Sequence, residues 1–334
     1  MSETITPLHR PRRMRRNTAI RQLVQENFFD LNDLIAPIFI EENLEEKVAI
    51  QTLPGIYRYP ETDLAKEILE LKALGIRYVM PFGISHHKDD EGSDTWNDDG
   101  LLARMIRTIR ETAPEMVIIP DICFCEYTSH GHCGIVHEGC VDNDKTIANL
   151  AKQAVTAAKA GADILAPSAM MDGQVAAIRE ALDEAGYEHV GILAHAIKFS
   201  SAFYGPFREA VNSELSGNRN GYQADYANGR QAMIEAELDE AEGADILMVK
   251  PGTPYLDLLA RLRERTDLPL ASYQVGGEYA AIKFAAQAGA LNEKQIVVET
   301  LIGFKRAGAD MIVSYYTKEV AEWLKNGEID SLSH

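Results

Sequence analysis

Apolar residues in this chain follow two alternating rhythms. One is helical: Leu64, Ile68 and Leu71; Ile147, Leu150, Ala151, Ala154, Val155 and Ala158; and Val175, Ile178 and Leu182 recur at steps of three and four. Asn143 or Asp144 is placed to cap the second of these helices. The other rhythm is a short apolar run without strict alternation, as expected of strands buried on both faces of a parallel sheet. Eight such runs occur: "LIAPIFI" from Leu34, "RYVMPFG" from Arg77, "MVIIPDI" from Met116, "DILAPSA" from Asp163, "VGILAHAI" from Val190, "DILMVKP" from Asp245, "LPLASYQV" from Leu268 and "MIVSYY" from Met311. A shared punctuation precedes three of them. Gly161 in "KAGADIL", Gly243 in "AEGADIL" and Gly308 in "RAGADMI" each close an amphipathic segment, where glycine suits the left-handed residue past a helix end. Eight alternating units in ~300 residues predict an α/β fold, a (β/α)8 TIM barrel. Residues 1–30 precede the first strand and read as an extended N-terminal arm, with 31–334 as one catalytic domain. A doubly wound open sheet is the alternative, but no GxGxxG follows the first strand.

Composition narrows the class. The 334 residues are 46% hydrophobic, enough for a full core. No apolar run approaches the ~18 residues of a membrane span. The opening "MSETITPLHRPRRMRRN" lacks the apolar stretch of a secretory signal. These features predict a cytoplasmic protein with reduced thiols and no membrane partner. A net charge of −18 argues against nucleic acid as a partner. Arg10, Arg12, Arg13, Arg15 and Arg16 are a local exception. A basic arm suits either a phosphate backbone or an acidic neighbouring subunit, and the acidic remainder of the chain favours the subunit.

Barrel active sites form at the C-terminal ends of the strands. The polar residues there are Asp121, Cys123 and Cys125 after the third strand, Ser168 after the fourth, Lys198 after the fifth and Lys250 after the sixth. Gln274 ends the seventh; Ser314 and Tyr315 end the eighth. Two lysines on adjacent strands disfavour each other's charge, and burial pushes the same way. A neutral lysine amine forms Schiff bases with carbonyl compounds. The bland reading is that each lysine pairs with a carboxylate or reaches water. Three of the four cysteines form C-x-C-x7-C, from Cys123, Cys125 and Cys133. Two alternate residues at a strand end point the same way, and three thiolates leave a fourth metal position open for chemistry. His130, His132 or Cys140 would instead close the site and make it structural. From Ser200 to about Asn228 the chain is rich in Gly, Asn, Ser and Arg and reads as a lid. Arg208 and Arg219 within it offer guanidinium forks for a carboxylate, or are plain surface arginines.

Several long segments resemble one family. "RPRRMRR", "CFCEYTSHGHCG", "KFSSAFYGPFR", "MVKPGTPYLD" and "YQVGGEY" look like porphobilinogen synthase, also called 5-aminolevulinate dehydratase, from about Arg10 to Tyr316. The resemblance implies condensation of two 5-aminolevulinate molecules to porphobilinogen, with loss of two waters, in tetrapyrrole (heme) synthesis. It implies that Lys250 holds the propionate-side substrate and Lys198 the acetate-side substrate. Cys123, Cys125 and Cys133 then hold a catalytic zinc, and Asp121 is an acid beside the reacting amines. Arg208, Arg219 and Gln223 bind the acetate-side carboxylate; Tyr315 binds the propionate-side one. Glu235 matches an acid near an allosteric magnesium, and the assembly implied is a homo-octamer, with hexamers in some members. Four positions depart from the family pattern: Gly276 for a serine, Ala194 and His195 for Ser-Tyr, and Gly229 for an arginine. Two other hypotheses compete. One is a class I aldolase-type lyase with a single Schiff-base lysine and a structural zinc. The other is a non-enzymatic, metal- and oligomer-dependent scaffold that uses the arginine arm for partners.

Overall fold

In the computed structural model, which describes residues 9–212 and 217–329, all eight runs form strands. They are β1 (Leu34–Glu41), β2 (Tyr78–Ile84), β3 (Val117–Ile118 and Asp121–Ile122), β4 (Ile164–Pro167), β5 (Gly191–Lys198), β6 (Ile246–Lys250), β7 (Leu270–Gln274) and β8 (Met311–Ser314). Each pairs in parallel with the next, and β1 pairs with β8 through Leu34↔Ile312, so the sheet closes on itself. The fold is a (β/α)8 barrel. Pro120 stands in the break of β3, where a missing N–H cannot join a ladder.

The repeated Gly-Ala-Asp has a structural role at the bottom of the barrel. Gly161, Gly243 and Gly308 have φ of 109°, 104° and 108°, a conformation open to glycine and costly for other residues. The aspartate two positions on immediately precedes the next strand and ties it to the one before. Asp163 accepts from Ile118 N, Asp245 from Ile192 N and Asp310 from Leu270 N, each at 2.8 Å. These carboxylates satisfy backbone donors that the short strands would leave unpaired. One expectation shifts by a residue: the helix Asn143–Ala160 is capped by Asp142, whose side chain accepts from Lys145 N at 3.1 Å, not by Asn143 or Asp144.

At the N-terminal side, Pro11–Arg15 and Thr18–Leu23 are helical and bury no side chain; among the described residues Phe29 is the first to enter the core. Of the expected arm, residues 1–8 lie outside the described residues, as do 213–216 of the lid and 330–334 of the catalytic domain.

The connection after β5 turns back over the barrel mouth. A 3-10 turn, Ala202–Tyr204, leads into the helix Gly205–Ala210. The turn rests on Gly277, at the start of the helix Gly276–Gln287. A Cβ at Gly277 would lie 2.6 Å from the Phe203 carbonyl oxygen and 2.7 Å from its Cα. Backbone atoms cannot rotate aside, so Gly277→Ala is expected to destabilise the fold by about 1–3 kcal/mol. The urea midpoint of the purified variant checks this; an unchanged midpoint contradicts it.

Candidate active site

Lys198 and Lys250 face each other in register across β5 and β6, and both side chains are buried. The Lys198 ammonium donates to the Ser168 carbonyl oxygen. Lys250 Nζ lies among aromatic faces, 4.3 Å from the Tyr273 ring centroid, 5.6 Å from Phe207 and 5.9 Å from Tyr204. Burial, and then the Lys198 charge, push the Lys250 amine from 10.5 down to about 8. At pH 7 about a tenth of it is therefore neutral, far more than for an ordinary lysine.

That displacement has a stability consequence. Between pH 8 and 10.5 the unfolded chain holds a proton on Lys250 that the folded chain has released. Stability attributable to this group therefore rises with pH through that window, is lost as pH falls back through it, and is flat below about pH 8. Lys250→Met is expected to be more stable than the native protein at pH 7, with a gap that narrows towards pH 10.5. Urea unfolding across the range reads the gap; a pH-independent difference contradicts it.

Asp121 lies beside the lysines, buried, with its Oδ1 unpartnered among the described residues. Burial pushes its carboxyl up, while the Lys250 and Lys198 charges pull it back. Close by, the sulfurs of Cys123, Cys125 and Cys133 all lie within 4.8 Å of one another, and all three residues are buried. Cys123 and Cys125 Sγ are 3.5 Å apart. Hydrogen bonds from these two thiols draw the Cys133 sulfur towards thiolate, with the Arg219 and Lys198 charges acting in the same direction. Burial pushes Cys123 the other way. Three converging sulfurs are a donor set for a soft or borderline cation, whose binding would displace the remaining protons.

The residues that would have closed this cluster point elsewhere. His130 contacts the Asp90 carbonyl at 3.2 Å, His132 contacts the Tyr222 hydroxyl at 3.2 Å, and Cys140 is exposed on the hairpin Val136–His137/Cys140–Val141. Ser168, Arg219 and Tyr315 share one cavity with the lysines, Asp121 and Cys125. Arg219 is buried and donates to the Gly131 carbonyl at 3.0 Å, with Nε unpartnered among the described residues. Arg208 is exposed on the helix Gly205–Ala210 and does not line that cavity. Gln223 and Glu235 line a different cavity, with Asp172. Burial, opposed by the Gln231 hydrogen bond and aided by the Asp172 and Glu242 charges, leaves the Glu235 carboxyl above its ordinary value.

Sequence reasoning passed over Glu126, Tyr204, Phe207, Tyr273 and Val275, which also line the lysine cavity. Glu126 is buried, with Oε1 unpartnered among the described residues; burial, and then the Asp121 charge, raise it to about 7. Its signal was its place beside Cys125. Tyr273 and Val275 follow from strand alternation at the end of β7. Phe207 carried no local signal, because only the return of the connection over the mouth brings it there.

Residues 8–323 match the family described as delta-aminolevulinic acid dehydratase. This chain belongs to that family. The protein of that name from Escherichia coli K12 is 56% identical over 94% of this chain and 97% of its own length. The one from Helicobacter pylori J99 is 48% identical over 95% and 98%. A crystal structure of the Toxoplasma gondii ME49 enzyme with its reaction product porphobilinogen superimposes with a TM-score of 0.94, at 46% identity, covering 96% of this chain and 92% of that one.

Within the dehydratase family pattern, the departures now have surroundings. A Cβ at Gly276 would lie 3.1 Å from Pro206 Cβ and 3.2 Å from Leu53 Cδ2, so a side chain there requires both neighbours to yield. At Gly229 the nearest atom would be Leu258 Cδ2, at 3.1 Å. Ala194 is fully buried. His195 is fully buried too, with both ring nitrogens unpartnered among the described residues, and burial, together with the two lysine charges, keeps it neutral.

Proposed function

We propose that this protein condenses two molecules of 5-aminolevulinate to porphobilinogen and two waters. The observation that carries the reading is the in-register burial of Lys198 and Lys250 in one cavity with Asp121 and Cys125. Two keto substrates call for two amines, and a single-lysine aldolase leaves the second buried ammonium without a purpose.

Lys250 is the propionate-side nucleophile, its amine already depressed to about 8. Attack on the substrate ketone and loss of water give a Schiff base, which acidifies the neighbouring carbon. Lys198 captures the acetate-side substrate in the same way. Asp121, carried between burial and two cations, holds and passes protons beside the reacting amines. Tyr315 at the cavity wall offers a hydroxyl to the propionate-side carboxylate, and Ser168 borders the same space. Arg219, whose Nε is unpartnered among the described residues, clamps the acetate-side carboxylate. Arg208 and Gln223 join that clamp only if the connection after β5 closes further, since neither lines the lysine cavity. Cys123, Cys125 and Cys133 would hold zinc, which supplies Lewis-acid polarisation with an open position when bound. Glu235 would lie near a regulatory magnesium. Residues 1–30 would form an arm between subunits of a homo-octamer, and the protein would work in the cytoplasm.

The direct test is porphobilinogen formation from 5-aminolevulinate with and without a zinc chelator. Product that disappears on chelation and returns with zinc is expected. Absence of product from the zinc-loaded protein overturns the reading.

A further inference from the structure

We infer that Glu209 is a positioning residue: it clasps the helix Gly205–Ala210 to the loop at Gln51–Thr52 and so seats Phe207 against Lys250. The inference rests on the dehydratase reading for what the seat does, and on geometry alone for its existence.

The clasp joins segments more than 150 positions apart. The Glu209 carboxylate accepts from Gln51 N at 2.9 Å, from Thr52 N at 3.2 Å, and from the Thr52 hydroxyl. The Thr52 hydroxyl, then burial opposing it, then the two amides set its titration, and the net effect is a carboxyl held below its ordinary value. A charged acceptor with several donors is a strong local tie. A second tie flanks it: Asn212 donates through Nδ2 to Glu41 Oε1 at 3.0 Å, at the end of β1.

Phe207 lies two residues before Glu209 on the same helix. Its ring lies 5.3 Å from Phe82 and 6.0 Å from Phe39, centroid to centroid, and 5.6 Å from Lys250 Nζ. The Gln51–Thr52 loop is itself anchored, since Tyr279 donates through its hydroxyl to the Pro54 carbonyl at 2.6 Å. Leu53 of that loop and Pro206 of the helix both close on Gly276, a cavity-lining position. The loop, the helix and the wall therefore meet at one point, and Glu209 is the polar fastener. Glu209 does not line the lysine cavity, so it acts through Phe207 and not on substrate.

Without the clasp the helix lifts, and Lys250 loses part of the dry aromatic surround that depresses its amine. Substrate retention suffers first, because the same helix begins the connection that carries Arg219.

The test compares native protein with Glu209→Ala, Glu209→Gln, Thr52→Val and the Thr52→Val/Glu209→Ala double variant. Steady-state kinetics on 5-aminolevulinate and limited proteolysis are read on each. Glu209→Ala is expected to raise KM about tenfold, the scale of one lost charged hydrogen-bond set, with a smaller effect on kcat. Glu209→Gln, which keeps one acceptor oxygen, recovers part of the loss. The double variant is no worse than Glu209→Ala, since the tie is already gone. Cleavage between 199 and 228 quickens in Glu209→Ala while the global urea midpoint moves little. A native KM and native cleavage rate in Glu209→Ala overturn the inference, as does a lowered midpoint with unchanged KM. If the native protein makes no porphobilinogen, the dehydratase reading fails, while the proteolysis arm still decides the clasp.

Discussion

Lys250→Met is expected to abolish porphobilinogen formation, with a fall of about 10⁴-fold or more, the scale seen when an enzyme loses its covalent nucleophile. The reason is specific to the site. Methionine fills nearly the same volume among Tyr204, Phe207 and Tyr273, so the cavity keeps its shape. It also removes a buried positive charge beside Lys198, so the fold gains stability while chemistry is lost. A dead variant that unfolds later than the native protein at pH 7 is a combination that misfolding cannot produce. Borohydride with 5-aminolevulinate, followed by peptide mass analysis, locates the adduct. An adduct on Lys250 in the native protein, none at this position in Lys250→Met, and a retained one in Lys198→Met are expected. Turnover by Lys250→Met within tenfold of native would remove this lysine from the mechanism.

Cys133→Ser is expected to lower turnover by about 10³-fold and to lower bound zinc in parallel, as loss of a Lewis acid worth several kcal/mol implies. Cys133 is chosen because its sulfur receives hydrogen bonds from both other thiols and faces the Arg219 and Lys198 charges, so it carries the thiolate character of the cluster. A serine hydroxyl is a hard, weakly acidic donor and does not replace it. Metal content by elemental analysis, measured beside turnover and urea unfolding, separates two roles. A catalytic ion leaves the unfolding midpoint nearly in place when it is lost. A structural ion takes the fold with it, and that result would favour the closed-site reading of the cysteine motif.

The strands and the helices between them were legible because burial on both faces leaves a pattern that needs no knowledge of neighbours. The Gly-Ala-Asp repeat marked helix ends for the same local reason, although the aspartate's second duty, capping a donor on the preceding strand, involves residues more than 30 positions away. Lysines at two strand ends and a thiol cluster at a third could be named in advance, since strand ends are a place defined by order along the chain. Arg208 and Arg219 show the limit. Both sit in one polar connection and looked equivalent, yet one is buried in the cavity and the other exposed. Gln223 likewise turned to a cavity beside Glu235.

Order along the chain thus determined the barrel, the end at which chemistry collects, and the residue types available there, because periodic burial and strand direction are short-range properties. Folding in three dimensions decided which of those residues meet: the Lys198–Lys250 register, the approach of Cys133 to Cys123 and Cys125, Glu126 and the aromatic wall around Lys250, and the tie from Glu209 to Thr52. Each depends on how the ring closes and how far one long connection bends back. That outcome is set by the summed packing of distant segments, and no window of neighbouring residues contains it.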